Sequence, residues 1–191
     1  MSDPKKVRYY FAYNSPYAFL ANTRLVRELA DFNVALEYKP VYSPRTGGPP
    51  DFESPRFRYI FEDVARFAEA YGLEMNPGPL PDTQRACLGL LWALENGTGV
   101  GYHDAIFRAR WLEGKDLGED ATLAAAADAA GLDGEALVAA LGDPRWAATL
   151  EQHQKDAEAD GVFGVPFFVY EGKHFWGNDR IEWLVRELQK R

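Results

Sequence analysis

The sequence has very little cysteine, since Cys87 is the only one among its 191 residues. No intrachain disulfide can form, and a dithiol-disulfide exchange reaction within the chain is excluded. Cys87 lies in the apolar helical pattern of residues 83–95, which predicts a buried core residue rather than a reactive thiol. The histidines are far from it and from one another, so we expect no metal site. We expect His103 and His174 to be structural or exposed, and His153, in a polar helix, to be exposed.

Positive charge is also scarce: 21 lysines and arginines stand against 29 acidic residues, for a net charge of -8. This balance argues against nucleic acid as a partner, because its phosphates favour clustered basic residues. No run approaches the roughly 20 apolar residues of a membrane helix, so we expect no membrane partner. The first residues carry no long apolar stretch before a cleavage site. Together with the single cysteine, this predicts a cytoplasmic protein.

The sequence does contain a strand-helix-strand pattern near its start. Residues 7–13 are aromatic and β-branched and predict a central strand, while residues 34–40 alternate in polarity and predict a parallel neighbour. Between them Ser15 precedes Pro16, a cap residue followed by proline at the first helical position, and the helical spacing continues to about Asp31. We expect two apolar ridges of this helix to be buried. The ridges are Ala18, Ala21, Leu25 and Leu29, and Phe19, Val26 and Ala30.

A proline- and glycine-rich loop at residues 43–55 separates this pattern from a long helical stretch. From Ser54 to about Gly161 every apolar pattern has helical spacing, and we expect no strand there. Ser54 and Pro55 start the first of these helices. Its predicted buried face consists of Phe57, Ile60, Phe61, Val64, Phe67, Ala68 and Tyr71. The predicted caps of later helices are Asp82, Asp120, Asp133 and Asp143.

Strand signals return at residues 166–170, where "PFFVY" leads through "EGK" to "HFWG". This pattern predicts an antiparallel hairpin. Asn178 follows and is the expected cap of a last helix. One sheet can therefore be built from both ends of the chain, with the helical stretch inserted between them and a crevice where they meet.

Three stretches carry a family resemblance: "NSPYAFLA", "FRARWLEGKD" and "GVFGVPFFVYEGKHFWGNDRIEWL". Over nearly its whole length the chain resembles the 2-hydroxychromene-2-carboxylate isomerases and the kappa-class glutathione transferases. The resemblance implies an α/β, thioredoxin-like fold of DsbA type, with βαβ and ββα units around one mixed sheet. Residues 1–45 and 160–191 would form the thioredoxin-like domain, and residues 46–159 an inserted all-helical domain.

Ser15 is the candidate catalytic residue. It occupies the place of the first cysteine in the C-x-x-C motif of redox members of this fold, within Ser15-Pro16-Tyr17-Ala18. From the sequence alone Ser15 can simply cap its helix. The resemblance implies that its hydroxyl also donates a hydrogen bond to the sulfur of glutathione and favours the thiolate. No local motif supplies an activating base, so we do not expect Ser15 to be a covalent nucleophile.

The resemblance also implies where the thiol binds. Val165 and Pro166 match the cis-proline site of the family, although the sequence cannot show the isomer. If the bond is cis, the backbone of Val165 faces the crevice unpaired and can bind the peptide backbone of the thiol. Asn178 and Asp179 begin the last helix and can bind the carboxylate and ammonium of the γ-glutamyl group. An ordinary proline at a strand start and an ordinary helix cap are the alternatives.

Five residues are candidates for contacting an aromatic substrate: Tyr17, Arg45, Asp82, Arg85 and Trp111. Relatives often carry asparagine where this chain has Asp82, a departure that adds negative charge where an anionic substrate would lie. They usually carry a lysine near the loop of Arg45, and Arg45 or Arg85 can take its place. For Tyr17 and Trp111, core packing is the alternative.

The function implied by the resemblance is glutathione-dependent cis-trans isomerisation of an aromatic oxo-acid, through thiolate addition and elimination. Glutathione, or another small thiol, would be the cofactor. Two alternatives stay open. A glutathione transferase would release a stable conjugate, and a non-catalytic protein of this fold would bind a thiol or a partner without turnover. Dimers are frequent in these families, so we also allow for a homodimer.

Overall fold

Four strands form one mixed sheet, in the order β2-β1-β3-β4, in a computed structural model that describes residues 3–42 and 50–190. The strands are β1 (Lys5–Phe11), β2 (Val34–Pro40), β3 (Phe167–Tyr170) and β4 (Lys173–Trp176). β1 runs parallel to β2 and antiparallel to β3, so Tyr9 lies between Tyr38 and Phe168. The parallel pair and the hairpin are confirmed, and β1 ends two residues earlier than its pattern predicts.

The hairpin turn consists of Glu171 and Gly172, both with positive φ, at 48° and 73°. Two consecutive residues of this kind match the twist of the flanking strands, and glycine adopts the conformation without a Cβ clash. The "EGK" sequence therefore makes the predicted turn.

Eight helices accompany the sheet, and six of them lie between β2 and β3, where the described residues contain no strand. They are α1 (Pro16–Leu29), α2 (Pro55–Tyr71), α3 (Gln84–Glu95), α4 (Gly99–Trp111), α5 (Asp120–Ala129), α6 (Gly134–Ala140), α7 (Pro144–Ala159) and α8 (Ile181–Leu188). A short 3-10 turn, Asn178–Arg180, precedes α8. No helix within the described ranges is long and apolar enough to cross a bilayer.

Of the four caps predicted within the helical stretch, two are confirmed and two are wrong. Asp133 and Asp143 each accept a backbone N–H from the first turn of their helix. Asp120 is instead the first residue of α5, and Asp82 lies one residue before the cap position of α3, which Thr83 holds. An acidic residue near a helix start also stabilises the helix dipole, so the composition does not fix the cap position.

Only one of the two predicted ridges of α1 is fully buried. Ala18, Ala21 and Leu25 pack in the core as expected, but Val26 is 56% exposed and Ala30 is exposed too. The predicted face of α2 is also only partly covered: Val64 and Ala68 are buried, most of the others are half-buried, and Phe61 is 52% exposed. Helical spacing shows which residues share a face, and neighbouring elements decide how much of that face is covered. The helical spacing therefore predicts wider buried faces for α1 and α2 than the structure has.

The helical stretch and the sheet share one core. Phe107 of α4 packs against Phe11 of β1 and against Tyr13, with ring centroids 6.0 and 5.0 Å apart. Phe19 of α1 packs against Trp111 at the end of α4. α4 thus lies directly behind the segment that carries Ser15. The division of the chain into two domains stays a prediction.

Candidate active site

Ser15 caps α1 and also bonds to a second segment of the chain. Its hydroxyl oxygen accepts the N–H of Ala18 at 3.2 Å, and the hydroxyl donates to the carbonyl of Val165, also at 3.2 Å. Its own N–H donates to the carbonyl of Ala12 at 3.0 Å and closes a turn between β1 and α1. The predicted cap is confirmed. The bond to Val165 places the hydroxyl where the two ends of the chain meet.

The Val165–Pro166 peptide bond is cis. We expected the carbonyl of Val165 to be unpaired, but it accepts a hydrogen bond from the Ser15 hydroxyl. A carbonyl oxygen has two lone pairs, so Val165 keeps acceptor capacity beside the serine. Ser15 and Val165 therefore form a compact polar pair at the start of α1.

A cavity of about 500 Å³ adjoins this pair. Its walls come from the ends of β1 and β2, the segment before α3, the end of α7 and the loop before Pro166. The lining residues are Ala12, Asn14, Val41, Tyr42, Pro81, Asp82, Thr83, Gln154, Ala157, Val162, Gly164 and Val165. The cavity lies at the predicted crevice, and its volume is within the usual range of small-molecule sites, about 300–1,000 Å³.

The charge inside the cavity comes from Asp82. Its carboxylate accepts the N–H of Gln84 at 2.9 Å, and together with burial it raises the pKa of Tyr42. No lysine or arginine is among the described residues of the lining. Arg85 points elsewhere, since it pairs with Asp120 and donates to a backbone carbonyl. Arg45 lies outside the described residues, so its predicted role stays a prediction.

Tyr17, in the first turn of α1, is not among the lining residues of the cavity and contacts α2 instead. Its hydroxyl donates to the carboxylate of Asp63 at 2.8 Å. Burial and that hydrogen bond raise the pKa of Tyr17, and the Asp179 carboxylate contributes to the same shift. The 3-10 turn that contains Asp179 packs against α1, and the Asp179 carboxylate lies 2.9 Å from the guanidinium of Arg180. The predicted role of Asp179 in thiol binding stays a prediction.

Asn178 does not cap α8, so that prediction is wrong. It begins the 3-10 turn, Gly177 holds the position before it with φ 113°, and no side chain caps that turn. Asn178 is 2% exposed, and its amide donates to the hydroxyl of Tyr71 at 3.4 Å. Arg24 donates to the same hydroxyl at 2.8 Å. The Asn178 side chain is thus turned into the protein and joins α2 to the last turn.

Trp111 does not line the cavity either. It is 7% exposed, and its ring stacks on Phe19 with centroids 6.2 Å apart and planes 18° apart. Its indole N–H donates to the carbonyl of Tyr13 at 3.0 Å. The alternative of core packing is therefore the correct one for Trp111, with one polar contact to the segment before Ser15.

The sequence of this chain matches a known protein family. The family model described as "DSBA-like thioredoxin domain" matches residues 6–189. The chain belongs to this family. The match covers both ends of the sheet and all of the helices between them, which confirms the predicted fold class.

Among similar proteins, a 2-hydroxychromene-2-carboxylate isomerase of Sphingobium xenophagum is 26% identical over 192 residues, covering 96% of this chain and 98% of the relative. A second, of Pseudomonas putida, is 25% identical over 182 residues, covering 92% and 90%. A solved structure of 2-hydroxychromene-2-carboxylate isomerase superposes on this DSBA-like chain with a TM-score of 0.85 at 25% identity, covering 96% of this chain and 94% of that one.

Cys87 and His103 of this DSBA-like chain lie in its interior, and His153 is half-buried. Cys87 is fully buried as predicted, and burial raises its pKa to about 12. His103 is buried too, and burial lowers its pKa to about 3. His153 is half-buried rather than exposed, and burial together with Lys39 lowers its pKa to about 4. Among the residues described, no group of side chains could hold a metal ion.

Sequence reasoning missed several lining residues of the cavity, among them Tyr42 and Gln154. The sequence could have indicated Tyr42, because it lies two residues after the end of β2 and the carboxyl ends of neighbouring parallel strands meet at one edge of a sheet. Gln154 lies in the middle of the polar helix α7 and carries no local signal. Its position depends on how the helix crosses the end of the sheet.

Proposed function

We propose that this DSBA-like protein is an isomerase that uses glutathione to convert the cis and trans forms of an aromatic oxo-acid of the 2-hydroxychromene-2-carboxylate type. The relatives of that name support it, since they match the chain over most of its length. The observation that carries it is the Ser15 hydroxyl at the start of α1, bonded to Val165 beside the cavity. A hydroxyl in this place can hold a thiol, whereas it cannot exchange disulfides.

The residues present fit a small thiol peptide. Ser15 would turn its hydroxyl from the carbonyl of Val165 to the sulfur, and the carbonyl would then accept a peptide N–H of the thiol. A hydrogen bond to a charged acceptor contributes about 1.5–3 kcal/mol, against about 0.3–1 kcal/mol from the helix dipole at an exposed site. Ser15 is therefore the larger contribution to thiolate binding. Asp179, in the 3-10 turn before α8, would pair with the ammonium group.

The cavity combines apolar and polar walls, as a flat aromatic acid requires. When bound, the thiolate supplies a nucleophile that adds reversibly to a conjugated double bond, so that this bond can rotate. Val41, Tyr42 and Val162 provide apolar and aromatic walls next to Ser15. Asp82 disfavours a substrate carboxylate in its vicinity, so that carboxylate would lie away from Asp82.

The test is an assay of the purified chain with 2-hydroxychromene-2-carboxylate and a small amount of reduced glutathione. We expect many turnovers per glutathione, with the thiol recovered unchanged. Consumption of one glutathione per product would instead indicate the transferase. No turnover by a folded sample that binds glutathione would indicate a binding protein, and no binding would overturn the glutathione assignment.

A further inference from the structure

One ridge of α4 holds Tyr13, two residues before Ser15. The ridge consists of His103, Phe107 and Trp111, spaced four residues apart and therefore on one face of the helix. The Tyr13 hydroxyl forms a 3.2 Å hydrogen bond with Nδ1 of His103, its ring lies 5.0 Å from that of Phe107, and its carbonyl accepts the indole N–H of Trp111. Side chain and backbone of Tyr13 are thus both fixed by α4.

The contact with the Tyr13 carbonyl is the one that affects the turn between β1 and α1. Tyr13 is fully buried, and a buried carbonyl without a partner is costly, so the indole N–H determines which way this peptide group points. The turn closes one peptide further on, where the N–H of Ser15 bonds to Ala12. A rotation of the Tyr13 peptide would therefore move Ser15 relative to Val165.

Trp111 is itself firmly held, as a positioning group must be. One face of its ring stacks on Phe19, and the guanidinium of Arg110 lies 4.6 Å from the ring centroid. Its carbonyl accepts the N–H of Asn76 at 2.8 Å. The donor therefore has little freedom to follow a moving turn.

We propose that Trp111 is a positioning residue: its indole N–H fixes the turn that aims the Ser15 hydroxyl at the thiol sulfur. This inference rests on the proposed function for its catalytic consequence, but not for its effect on the turn. Small misplacements of a group that must point at a reacting atom have large effects on rate.

The chain offers a matched control in Trp146. It is 4% exposed, its indole N–H has no partner among the described groups, and the preceding residue, Arg145, lies over its ring at 3.9 Å. Trp111→Phe and Trp146→Phe therefore remove similar buried volume beneath an arginine. Only the first removes a hydrogen bond to the segment before Ser15.

The experiment measures amide hydrogen exchange at Ser15, and glutathione affinity by calorimetry, in the wild type and both variants. We expect Trp111→Phe to speed exchange at Ser15 and to weaken glutathione binding, each about tenfold, the effect of losing one buried hydrogen bond. Trp146→Phe should leave both unchanged. A chain with benzothienylalanine at Trp111, where sulfur replaces the N–H, should behave like Trp111→Phe and keeps the shape of the ring.

Wild-type values in both Trp111-substituted chains, or equal effects in Trp146→Phe, would overturn the inference. Failure of the wild type to bind glutathione would overturn the proposed function instead. In that case the exchange rates still decide the inference, since faster exchange in the Trp111-substituted chains supports it and unchanged exchange refutes it.

Discussion

Ser15 and Asn178 begin as equivalent features of the sequence and end in opposite roles. Each is a small polar residue before a helical pattern, and each was expected to cap its helix beside the crevice. Ser15 does cap α1, and its hydroxyl stays at the crevice, half-buried and bonded to Val165. Asn178 is 2% exposed, and its amide is turned away to Tyr71. The difference shows that a cap signal does not by itself identify a binding group.

The two side chains differ because of the residues next to them in the sequence and because each one contacts a different distant residue. Pro16 fixes the first helical position after Ser15, so the cap geometry follows directly. Before Asn178, Gly177 turns the chain with φ 113°, and a 3-10 turn replaces the first helical turn. The Ser15 hydroxyl then bonds to Val165, and the Asn178 amide bonds to Tyr71. The Ser15 hydroxyl therefore stays at the crevice, while the Asn178 amide is held by Tyr71.

The largest effect is expected from Ser15→Ala. Loss of a hydrogen bond to a charged sulfur, about 1.5–3 kcal/mol, should lower isomerase activity at neutral pH by about 10- to 100-fold. Loss of the cap should also lower the free energy of unfolding by about 1 kcal/mol. Asp133→Ala removes the equivalent cap of α6, far from the cavity lining, and is the control. It should match the stability loss with full activity, and equal activity losses would contradict a special role of Ser15.

Asn178→Ala should act on stability instead. Removing a buried amide and its contact with Tyr71 should lower the free energy of unfolding by about 1–2 kcal/mol in urea denaturation. Asn96→Ala removes an exposed asparagine that bonds to the end of α3, and should cost less than about 0.5 kcal/mol. Glutathione affinity should not change in Asn178→Ala. Weaker binding at unchanged stability would return Asn178 to the binding site.

Asp179→Asn is expected to have a smaller effect, on binding alone. An exposed ion pair contributes about 0.2–1 kcal/mol, so the Kd for glutathione should rise about two- to fivefold, and less at high salt. Glu182→Gln, an exposed carboxylate of α8 that lies 3.8 Å from Arg24, should leave the Kd unchanged. Titration calorimetry at two salt concentrations separates the variants. Identical titrations for wild type and Asp179→Asn would remove Asp179 from the site.

The smallest effect is expected from Asp82→Asn. Asparagine keeps the oxygen that accepts the N–H of Gln84 but removes the negative charge from the cavity. The KM for a carboxylate substrate should fall about two- to threefold at low salt, with kcat nearly constant. Asp143→Asn makes the same exchange at the start of α7, away from the cavity lining, and should not change the KM. A higher KM in Asp82→Asn would show that the carboxylate assists binding.

The sequence predicts a feature of the fold or of the candidate site correctly where the physical cause of that feature is local. The start of α1 follows from Ser15 and Pro16, the hairpin from its turn residues, and the burial of Cys87 from its apolar helix. The contacts that make the site are long-range: Ser15 with Val165 and Trp111 with Tyr13 join residues far apart in the chain. A donor that bonds to a distant backbone carbonyl leaves no periodic pattern in the sequence, so the sequence offers for Trp111 only a substrate contact or core packing.

The pKa of the bound glutathione thiol tests the role of Ser15 most directly. It can be followed by the ultraviolet absorbance of the thiolate during pH titration of the wild type and of Ser15→Ala, each saturated with glutathione. One hydrogen bond to the sulfur should lower the pKa by about one to two units in the wild type. We predict a bound-thiol pKa below that of free glutathione in the wild type, and most of that shift lost in Ser15→Ala. Equal thiol pKa values in both proteins would contradict the role assigned to Ser15.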